Sequence, residues 1–597
     1  MKTDTEKRMW QGIPGIERTP GGRLYMAWFT GGACEPRPEN RVVLTYSDNG
    51  GQSLAPLQMM AEPDDGETWN DGLLLDERDD ISYPDGVEAP DGRIRIIYDR
   101  DRNHDGDILM ATFREEDVAV GGNESRSVNL RIPLDTLCGV KIGPDPLLNR
   151  PLLGLGVETE PPLFLFRDTA ALTEPVIDGI VAVAERRLRL LRPSLARMFC
   201  FTDQWNPTLD GETFVWDGLP FKRFLLMLTS LHEMGCRVNL VLFSHFEKPY
   251  AVQEKAVHAM VAMLVYLRRE HGYDSIDWLT LFNEPESIFR QDSALSRTIF
   301  GEAPGLHTWD EYVTLNRLAM KLLAAEGLDG IRMAMPDSAW GGQMRKERME
   351  LTVAAFPDSD INLSYHHYNP DDPNFNQKAP PAFQYDGMRE EVERFRRLAG
   401  PDRQLVIWEF NNAGDGFGSH DPGRDVQGRN VLEVPEAGAK LANRILLALH
   451  YGVDGLCLWH MHDSDVNKFG LWRNREEGFV VKPYWHYFAL LCHSFRAGQR
   501  VLPLTAPPVP FAILATRDDG GRVRVAVLND SDQEESIELD LPARGKMRVQ
   551  RLDPSVLPPP EQEDPFCLES ETVVDGRLQL ELKPWELVVI TQALTGD

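Results

Sequence analysis

Two glutamates stand directly after strand-like runs of the sequence, in surroundings suited to acid–base chemistry. One lies in Asn283-Glu284-Pro285, after the fourth of eight such runs, and the other in Trp408-Glu409-Phe410, after the seventh. Two carboxylates from different strands that face one cleft can divide the roles of proton donor and nucleophile in glycoside hydrolysis. A lone glutamate at a strand end is usually a solvated surface charge, so the pair, with an asparagine before one member, carries the inference.

The two glutamates fall in a segment that alternates short apolar runs with longer stretches of helical periodicity. Strand followed by helix, eight times over, is typical of a (β/α)8 barrel, an α/β fold whose active site collects at the carboxyl ends of the strands. A doubly wound open sheet is the alternative, which the lack of G-x-G-x-x-G after the first run disfavours. The runs begin at Leu153, Met198, Val238, Ile276, Ile331, Ile361, Leu405 and Gly455.

With these motifs, residues 150 to about 500 resemble a clan A glycoside hydrolase, a superfamily of retaining barrels, and are most similar to families 39, 30 and 5. The resemblance implies that Glu284 is the acid/base, that Glu409 is the nucleophile and that Asn283 binds the sugar 2-hydroxyl. It implies cleavage of β-glycosidic bonds by double displacement, with carboxyl groups about 5–5.5 Å apart. No metal or other cofactor is expected.

The resemblance also assigns supporting roles at other strand ends. Arg197 would hydrogen-bond Glu409 and lower its pKa. His367 and Tyr368 would orient the catalytic pair, although strand phase can shift that assignment by one residue, and Trp459 would stack against the sugar ring. For each aromatic residue, ordinary packing at the barrel mouth is the alternative. The predicted substrate-binding residues are Asn283, Arg197, Trp205, His245, His367, Tyr368 and Trp459.

Two further charged groups near the strand ends have simpler interpretations. The run His460-Met-His462-Asp-Ser-Asp465 contains metal-binding residue types but lacks a recognised ligand spacing, so we expect substrate contacts or solvated surface there. Glu286 is predicted to be a charge on the rim of the barrel.

The first 120 residues have a different texture, rich in Gly, Asp and short β-like runs, which predicts antiparallel sheet. Trp10 to Arg18 resembles the first strands of a bacterial sialidase-like β-propeller, and Asp65-Gly-Glu-Thr-Trp69 resembles its Asp-box, or BNR, repeat. Six four-stranded blades need about 24 strands, roughly twice what this segment can supply. We therefore expect a truncated, structural module here, with carbohydrate binding as the alternative.

The predicted organisation has three parts: a truncated propeller-like module at residues 1–120, the catalytic barrel at 150–498 and a β-sandwich at 499–597. The last part returns to short strands, such as the one beginning at Arg522. We expect it to brace the barrel rather than supply chemistry.

Composition limits the partners of this chain. Its 597 residues carry a formal net charge of −30, which repels phosphate backbones and anionic lipids. No apolar run approaches the roughly 18 residues that span a bilayer. The amino terminus lacks a signal-peptide pattern, and the seven cysteines include no C-x-x-C, so we expect reduced thiols in a cytoplasmic protein. The oligomeric state stays open.

Three functions therefore compete. The first is a retaining glycosidase acting on an oligosaccharide, polysaccharide or other glycoside, in which both carboxylates are present. The second is a catalytically inactive carbohydrate-binding protein that kept the barrel. The third, sialidase-like activity of the amino-terminal module, is disfavoured by its truncation.

Overall fold

The chain divides into two compact units, Met1–Thr136 and Leu137–Asp597. The structure is a computed structural model. It describes residues 10–18, 24–31, 41–47, 58–59, 81–88, 94–100, 107–113, 130–132, 139–148, 150–159, 173–243, 249–287, 289–290, 307–339, 342–370, 387–413, 430–434, 436–463, 468–505 and 510–593.

The first unit contains two antiparallel sheets of four strands, each with its strands in chain order. The first sheet comprises β1 (Trp10–Arg18), β2 (Leu24–Gly31), β3 (Arg41–Ser47) and β4 (Gln58–Met59). The second comprises β5 (Ile81–Glu88), β6 (Ile94–Arg100), β7 (Asp107–Phe113) and β8 (Leu130–Ile132). The Asp-box-like residues 65–69 lie outside the described residues, so the sialidase-like resemblance stays a prediction.

The second unit is built on a closed barrel of eight parallel strands, as the sequence predicted. The short strand β9 (Gly139–Lys141) precedes it, and β14 (Phe289–Arg290) pairs with β15 (His307–Thr308) in the connection after the fourth barrel strand. The barrel strands are β10 (Gly154–Glu158), β11 (Leu195–Phe201), β12 (Arg237–Phe243), β13 (Ile276–Thr280), β16 (Arg332–Ser338), β17 (Asn362–Pro370), β18 (Gln404–Ala413) and β19 (Gly455–Leu458).

Within the described residues, an α-helix follows each barrel strand, which gives the (β/α)8 order. The helices are α1 (Glu174–Leu191), α2 (Leu219–Glu233), α3 (Tyr250–Glu270), α4 (Trp309–Ala325), α5 (Gly342–Ala355), α6 (Met388–Ala399), α7 (Ala437–Tyr451) and α8 (Tyr484–Ser494). Among the residues that the structure describes, no helix is both long and apolar enough to cross a membrane.

The barrel strands read as continuous apolar runs because the helices cover their outer faces and side chains fill the interior. All five residues of β10 are buried, for example. Close packing also requires a glycine at position 156 of this strand, because a Cβ there would lie 2.3 Å from the carbonyl oxygen of Leu195 on β11. The barrel interior is filled by a layer that includes Trp278, Val406 and Trp408.

The carboxyl-terminal strands form one sheet connected throughout by hydrogen bonds. Their arrangement as a β-sandwich stays a prediction. Its path is β20-β21-β22-β25-β23-β24, and β9 joins it by pairing parallel to β23. The segment before the barrel therefore contributes a strand to this sheet. The new strands are β20 (Arg500–Val501), β21 (Phe511–Arg517), β22 (Val523–Asn529), β23 (Glu535–Leu552), β24 (Leu568–Leu582) and β25 (Leu587–Gln592).

Hydrogen bonds join this sheet domain to the barrel helices. The hydroxyl of Tyr487 on α8 donates to the carbonyl of Trp585 at 2.7 Å, and the indole N–H of Trp485 donates to the carbonyl of Glu563 at 2.9 Å. The sheet thereby supports the outer wall of the barrel near its last strand.

Candidate active site

A fully buried arginine organises the carboxyl ends of the barrel strands. Arg197 on β11 donates through Nη1 to Glu158 Oε2 at 3.1 Å and to Glu409 Oε1. Through Nη2 it donates to Asn283 Oδ1 and to Asp337 Oδ2, both at 2.7 Å. Burial alone would lower the pKa of this guanidinium, but its three carboxylate partners raise it well above the usual value. Arg197 is therefore a permanent cation shared by four strand ends.

Glu409 on β18 accepts two hydrogen bonds and has a third close neighbour. Besides Arg197, the hydroxyl of Tyr368 donates to its Oε2 at 2.9 Å, and His366 Nδ1 lies 3.2 Å from the same oxygen. Burial raises the pKa of Glu409, and the opposing charges of His366 and Arg197 do not fully cancel that effect. Arg197 lowers this pKa as predicted, but the net shift is upward because desolvation is the larger influence.

Glu284 faces Glu409 across the same imidazole. His366 Nδ1 lies 3.2 Å from Glu284 Oε1, and one oxygen of each glutamate lies within 4.8 Å of the other. The two carboxylates differ in exposure, since the Glu284 side chain is 41% exposed and that of Glu409 only 4%. Glu284 also has a left-handed backbone, with φ of 49°, a conformation that side chains other than glycine adopt at some cost and that clusters at functional sites.

The structure corrects the histidine assignment on β17. Side chains alternate along a strand, so His366 and Tyr368 reach Glu409 while His367 points to the outer helices. There His367 Nδ1 lies 2.8 Å from Glu391 Oε1 on α6. Burial is the main cause that lowers the pKa of His367. His366, rather than His367, is the histidine beside the two glutamates.

Asp337 on β16 is a member of the site that the sequence did not reveal. This buried carboxylate accepts from Arg197, lies 3.3 Å from His366 Nε2 and accepts a weak hydrogen bond from Ser364 Oγ at 3.4 Å. Burial would raise its pKa, but Arg197 and His366 lower it overall. The signal that could have revealed it is an acidic residue at the end of the fifth run, directly after Pro336.

Glu158, at the end of β10, was also missed. It is completely buried, and burial raises its pKa to about 8 even though Arg197 beside it favours the ionised form. Its Oε2 accepts the hydrogen bond from Arg197. Glu158 is therefore the carboxyl in this cluster that most readily holds a proton near neutral pH.

Three other predicted positions need correction or lie elsewhere. Trp205 is completely buried and its indole N–H donates to the carbonyl of Ala259 on α3, so it packs the barrel wall and cannot stack on a sugar. Glu286 is also buried rather than on the rim, with a pKa raised by desolvation. His245 lies outside the described residues.

Trp459 keeps an aromatic face near the cluster. It is half-buried at the end of β19 and packs edge-to-face with Phe199, with ring centroids 6.1 Å apart. Phe199 in turn lies 4.8 Å below the Arg197 guanidinium. Phe199 therefore lies between Trp459, which is predicted to stack on the sugar, and Arg197.

Two groups of potential metal ligands have other partners among the described residues. Glu284, His366 and Glu409 offer three close donor atoms, and these three side chains already contact one another. In the run after β19, Asp463 instead accepts from buried Lys482 at 2.8 Å.

Comparison with solved structures identifies the same fold. The catalytic domain of GH30 xylanase C from Talaromyces cellulolyticus matches 76% of this chain and 99% of its own, with a TM-score of 0.53 and 12% identity. The α-L-arabinofuranosidase from Thermotoga maritima matches 76% and 100%, with a TM-score of 0.52 and 15% identity. The GH30 endoxylanase from Clostridium papyrosolvens C71 matches 76% and 99%, with a TM-score of 0.50 and 10% identity.

No family model matches the chain, and no curated protein matches its sequence. At 10–15% identity the structural matches show a shared barrel and attached sheet domain. The chemistry of this chain must therefore be argued from its own residues.

Proposed function

We propose that this protein is a retaining glycoside hydrolase in which Glu284 is the acid/base and Glu409 the nucleophile. The observation that carries the proposal is that one carboxylate oxygen of Glu284, after β13, and one of Glu409, on β18, lie within 4.8 Å of each other. Retaining enzymes hold this pair about 5–5.5 Å apart, whereas inverting enzymes leave about 6.5–9.5 Å for a water molecule. The three structural matches named above are two xylanases and an arabinofuranosidase, which fits a glycan substrate.

The unequal surroundings of the two glutamates suit these roles. Glu409 is buried and held by Arg197 and Tyr368, so its carboxylate is oriented for attack on the anomeric carbon. Glu284 is partly exposed, where it can protonate the leaving oxygen and later deprotonate the incoming water. The bond to the leaving group breaks as the bond to Glu409 forms, and water then releases the sugar with retained configuration.

The direct test is to follow hydrolysis of aryl glycosides by proton NMR. The panel should include β-xylosides, β-glucosides and α-L-arabinofuranosides, and the first-formed anomer should be identified before mutarotation. We expect a product with the configuration of the substrate. An inverted first product would contradict the assignment of Glu409 as nucleophile, and sugar binding without any product would favour the non-catalytic alternative.

Replacing the acid/base should produce a loss that depends on the leaving group. With Glu284→Gln we expect kcat/KM to fall about 10²- to 10⁴-fold for alkyl glycosides, because the leaving alkoxide needs a proton. The loss should be much smaller for dinitrophenyl glycosides, whose leaving group departs unprotonated. Steady-state kinetics on both substrates measures this. Glu212→Gln, at an exposed loop position, is the control, and an equal loss on both substrates would contradict the role.

The hydroxyl of Tyr368 should contribute through the nucleophile. Because it donates to Glu409 Oε2 at 2.9 Å, Tyr368→Phe removes a hydrogen bond to a charged group, and we expect kcat/KM to fall roughly 10- to 100-fold. Tyr365→Phe is a matched control on the same strand, since Tyr365 packs against Phe395 on α6. Equal kinetics of the two variants would show that the hydrogen bond is irrelevant to turnover.

A further inference from the structure

Asp337 bridges the two cationic side chains that contact the nucleophile. Its Oδ2 accepts from Arg197 Nη2 at 2.7 Å and lies 3.3 Å from His366 Nε2. Arg197 and His366 both contact Glu409 from different strands. Asp337 itself lies against His366 on the nitrogen that faces away from the two glutamates. Its charge also acts directly on Glu409, where it raises the pKa of the carboxyl.

Both nitrogens of His366 face carboxylates. Nδ1 lies 3.2 Å from Glu284 Oε1 and 3.2 Å from Glu409 Oε2, and Nε2 faces Asp337. A neutral imidazole would turn a lone pair towards one of these groups, whereas the imidazolium presents a proton to each side. The geometry of the ring therefore favours the doubly protonated form.

The charges around His366 point the same way. Burial alone would lower its pKa, but Glu409 and Asp337 outweigh burial and raise the pKa to about 10. Glu284 is the third carboxylate at the imidazole. The other charged or titratable groups of the cluster are Arg197 and Tyr368, which contact Glu409, and Glu158, which contacts Arg197.

We propose that Asp337 is a positioning residue that keeps His366 protonated on both nitrogens, so that one imidazolium N–H supports Glu409 before attack and Glu284 afterwards. The inference rests on the proposed function. When Glu409 bonds to the anomeric carbon, its negative charge disappears, and Glu284 becomes a carboxylate by giving its proton to the leaving oxygen. The negative charge thus moves from one neighbour of Nδ1 to the other, and the imidazolium need not move or lose a proton.

The chain supplies a matched control one residue along β17. Glu391 is a buried carboxylate that binds an arginine, Arg345 at 2.7 and 2.8 Å, and a histidine, His367 at 2.8 Å, outside the site. Asp337→Asn and Glu391→Gln therefore make the same chemical change to the same kind of trio. Only the first trio contacts Glu409.

The experiment is an NMR titration of the imidazoles in the full chain. In Asp337→Asn we expect the midpoint of His366 to fall by at least about one pH unit, because the anion that favours the protonated imidazole has been removed. Glu391→Gln should leave the His366 midpoint unchanged.

Several outcomes would overturn the inference. A His366 midpoint below the ordinary value of about 6.5 in the unmodified protein does so without any variant. If the protein cleaves glycosides but Asp337→Asn leaves the His366 midpoint unchanged, the role of Asp337 is rejected and the proposed function is not affected. A lowered midpoint in a protein that cleaves no glycoside rejects the proposed function and leaves the charge state of His366 intact.

Discussion

Glu409→Gln is expected to lower kcat/KM by on the order of 10⁴-fold or more, because an amide cannot form the glycosyl–enzyme bond. The side chain keeps its shape but now turns an NH₂ group or an amide oxygen towards Arg197, Tyr368 and His366. Steady-state assays on a dinitrophenyl glycoside measure this loss. The leaving group of this substrate needs no acid, so the assay reports the nucleophile rather than Glu284. A Glu409→Gln variant with full turnover would contradict the assignment of Glu409 as the nucleophile.

A smaller side chain at the same position allows a sharper version of the test. Glu409→Ala leaves a space in which azide can attack the anomeric carbon from the side that the carboxylate occupied, and we expect a glycosyl azide of inverted configuration. Glu391→Gln is the control for general damage, because Glu391 is equally buried and also binds an arginine. Azide rescue that yields a product of retained configuration would instead place the nucleophile elsewhere.

Arg197→Met should affect both stability and activity. Removing the guanidinium leaves Glu158, Asp337 and Glu409 buried together without their main cation, and breaking a buried ion pair from one side costs about 3–5 kcal/mol. We expect the urea midpoint to fall accordingly and glycosidase activity to be lost. Arg197→Lys should also lose most activity, since an ammonium cannot reproduce a planar fork that reaches four acceptors.

The destabilisation of Arg197→Met should grow with pH. Without the arginine, the folded-state pKa values of the three buried carboxyls rise above their unfolded values, so their stability contribution is retained at low pH and lost as pH rises. Urea midpoints at pH 5 and pH 8 test the sign. The control is Arg332→Met, which breaks an exposed pair with Asp360 and should cost at most about 1 kcal/mol at either pH. Equal losses for the two variants would show that the buried cluster is not held by charge.

The barrel could be predicted because the physical cause of its pattern is local. Strands buried on both faces are apolar throughout, and the helices between them have their own period, so eight runs can be counted without knowing how they pair. The two glutamates could be found for the same reason, since each directly follows a counted run. That count is what separated them from the many other acidic residues of a chain with net charge −30.

The direction of individual side chains could not be predicted in the same way. In Ser364-Tyr-His-His-Tyr368 no alternation of polar and apolar residues indicates which positions face inward, and the sequence prediction therefore chose His367 where the structure has His366. The register between β17 and β18 shifts at this point: Tyr365 pairs with Ile407, but the next residue, His366, pairs with Glu409. Such a bulge lets Glu409 face the site although the preceding Trp408 already packs the barrel interior.

The remaining members of the site could not be predicted from the sequence, because a charged side chain is buried only where partners compensate its charge. Asp337 and Glu158 are tolerated inside the barrel mouth only because Arg197 meets them there, and a carboxylate in isolation is normally expected on the surface. The opposite error occurred with Trp205, where a strand-end aromatic proved to be packing. Tertiary contacts decide these cases.

The pairing of β9 with β23 also constrains how the chain is made. Gly139–Lys141 leaves the ribosome before any barrel strand, yet its partner segment around Glu538–Asp540 follows about 400 residues later. During synthesis, β9 therefore lacks its partner strand β23 until all eight strand–helix units of the barrel have been translated. Completion of the sheet is a late event that joins the two ends of this unit, and it can occur only after the last barrel helix has been translated.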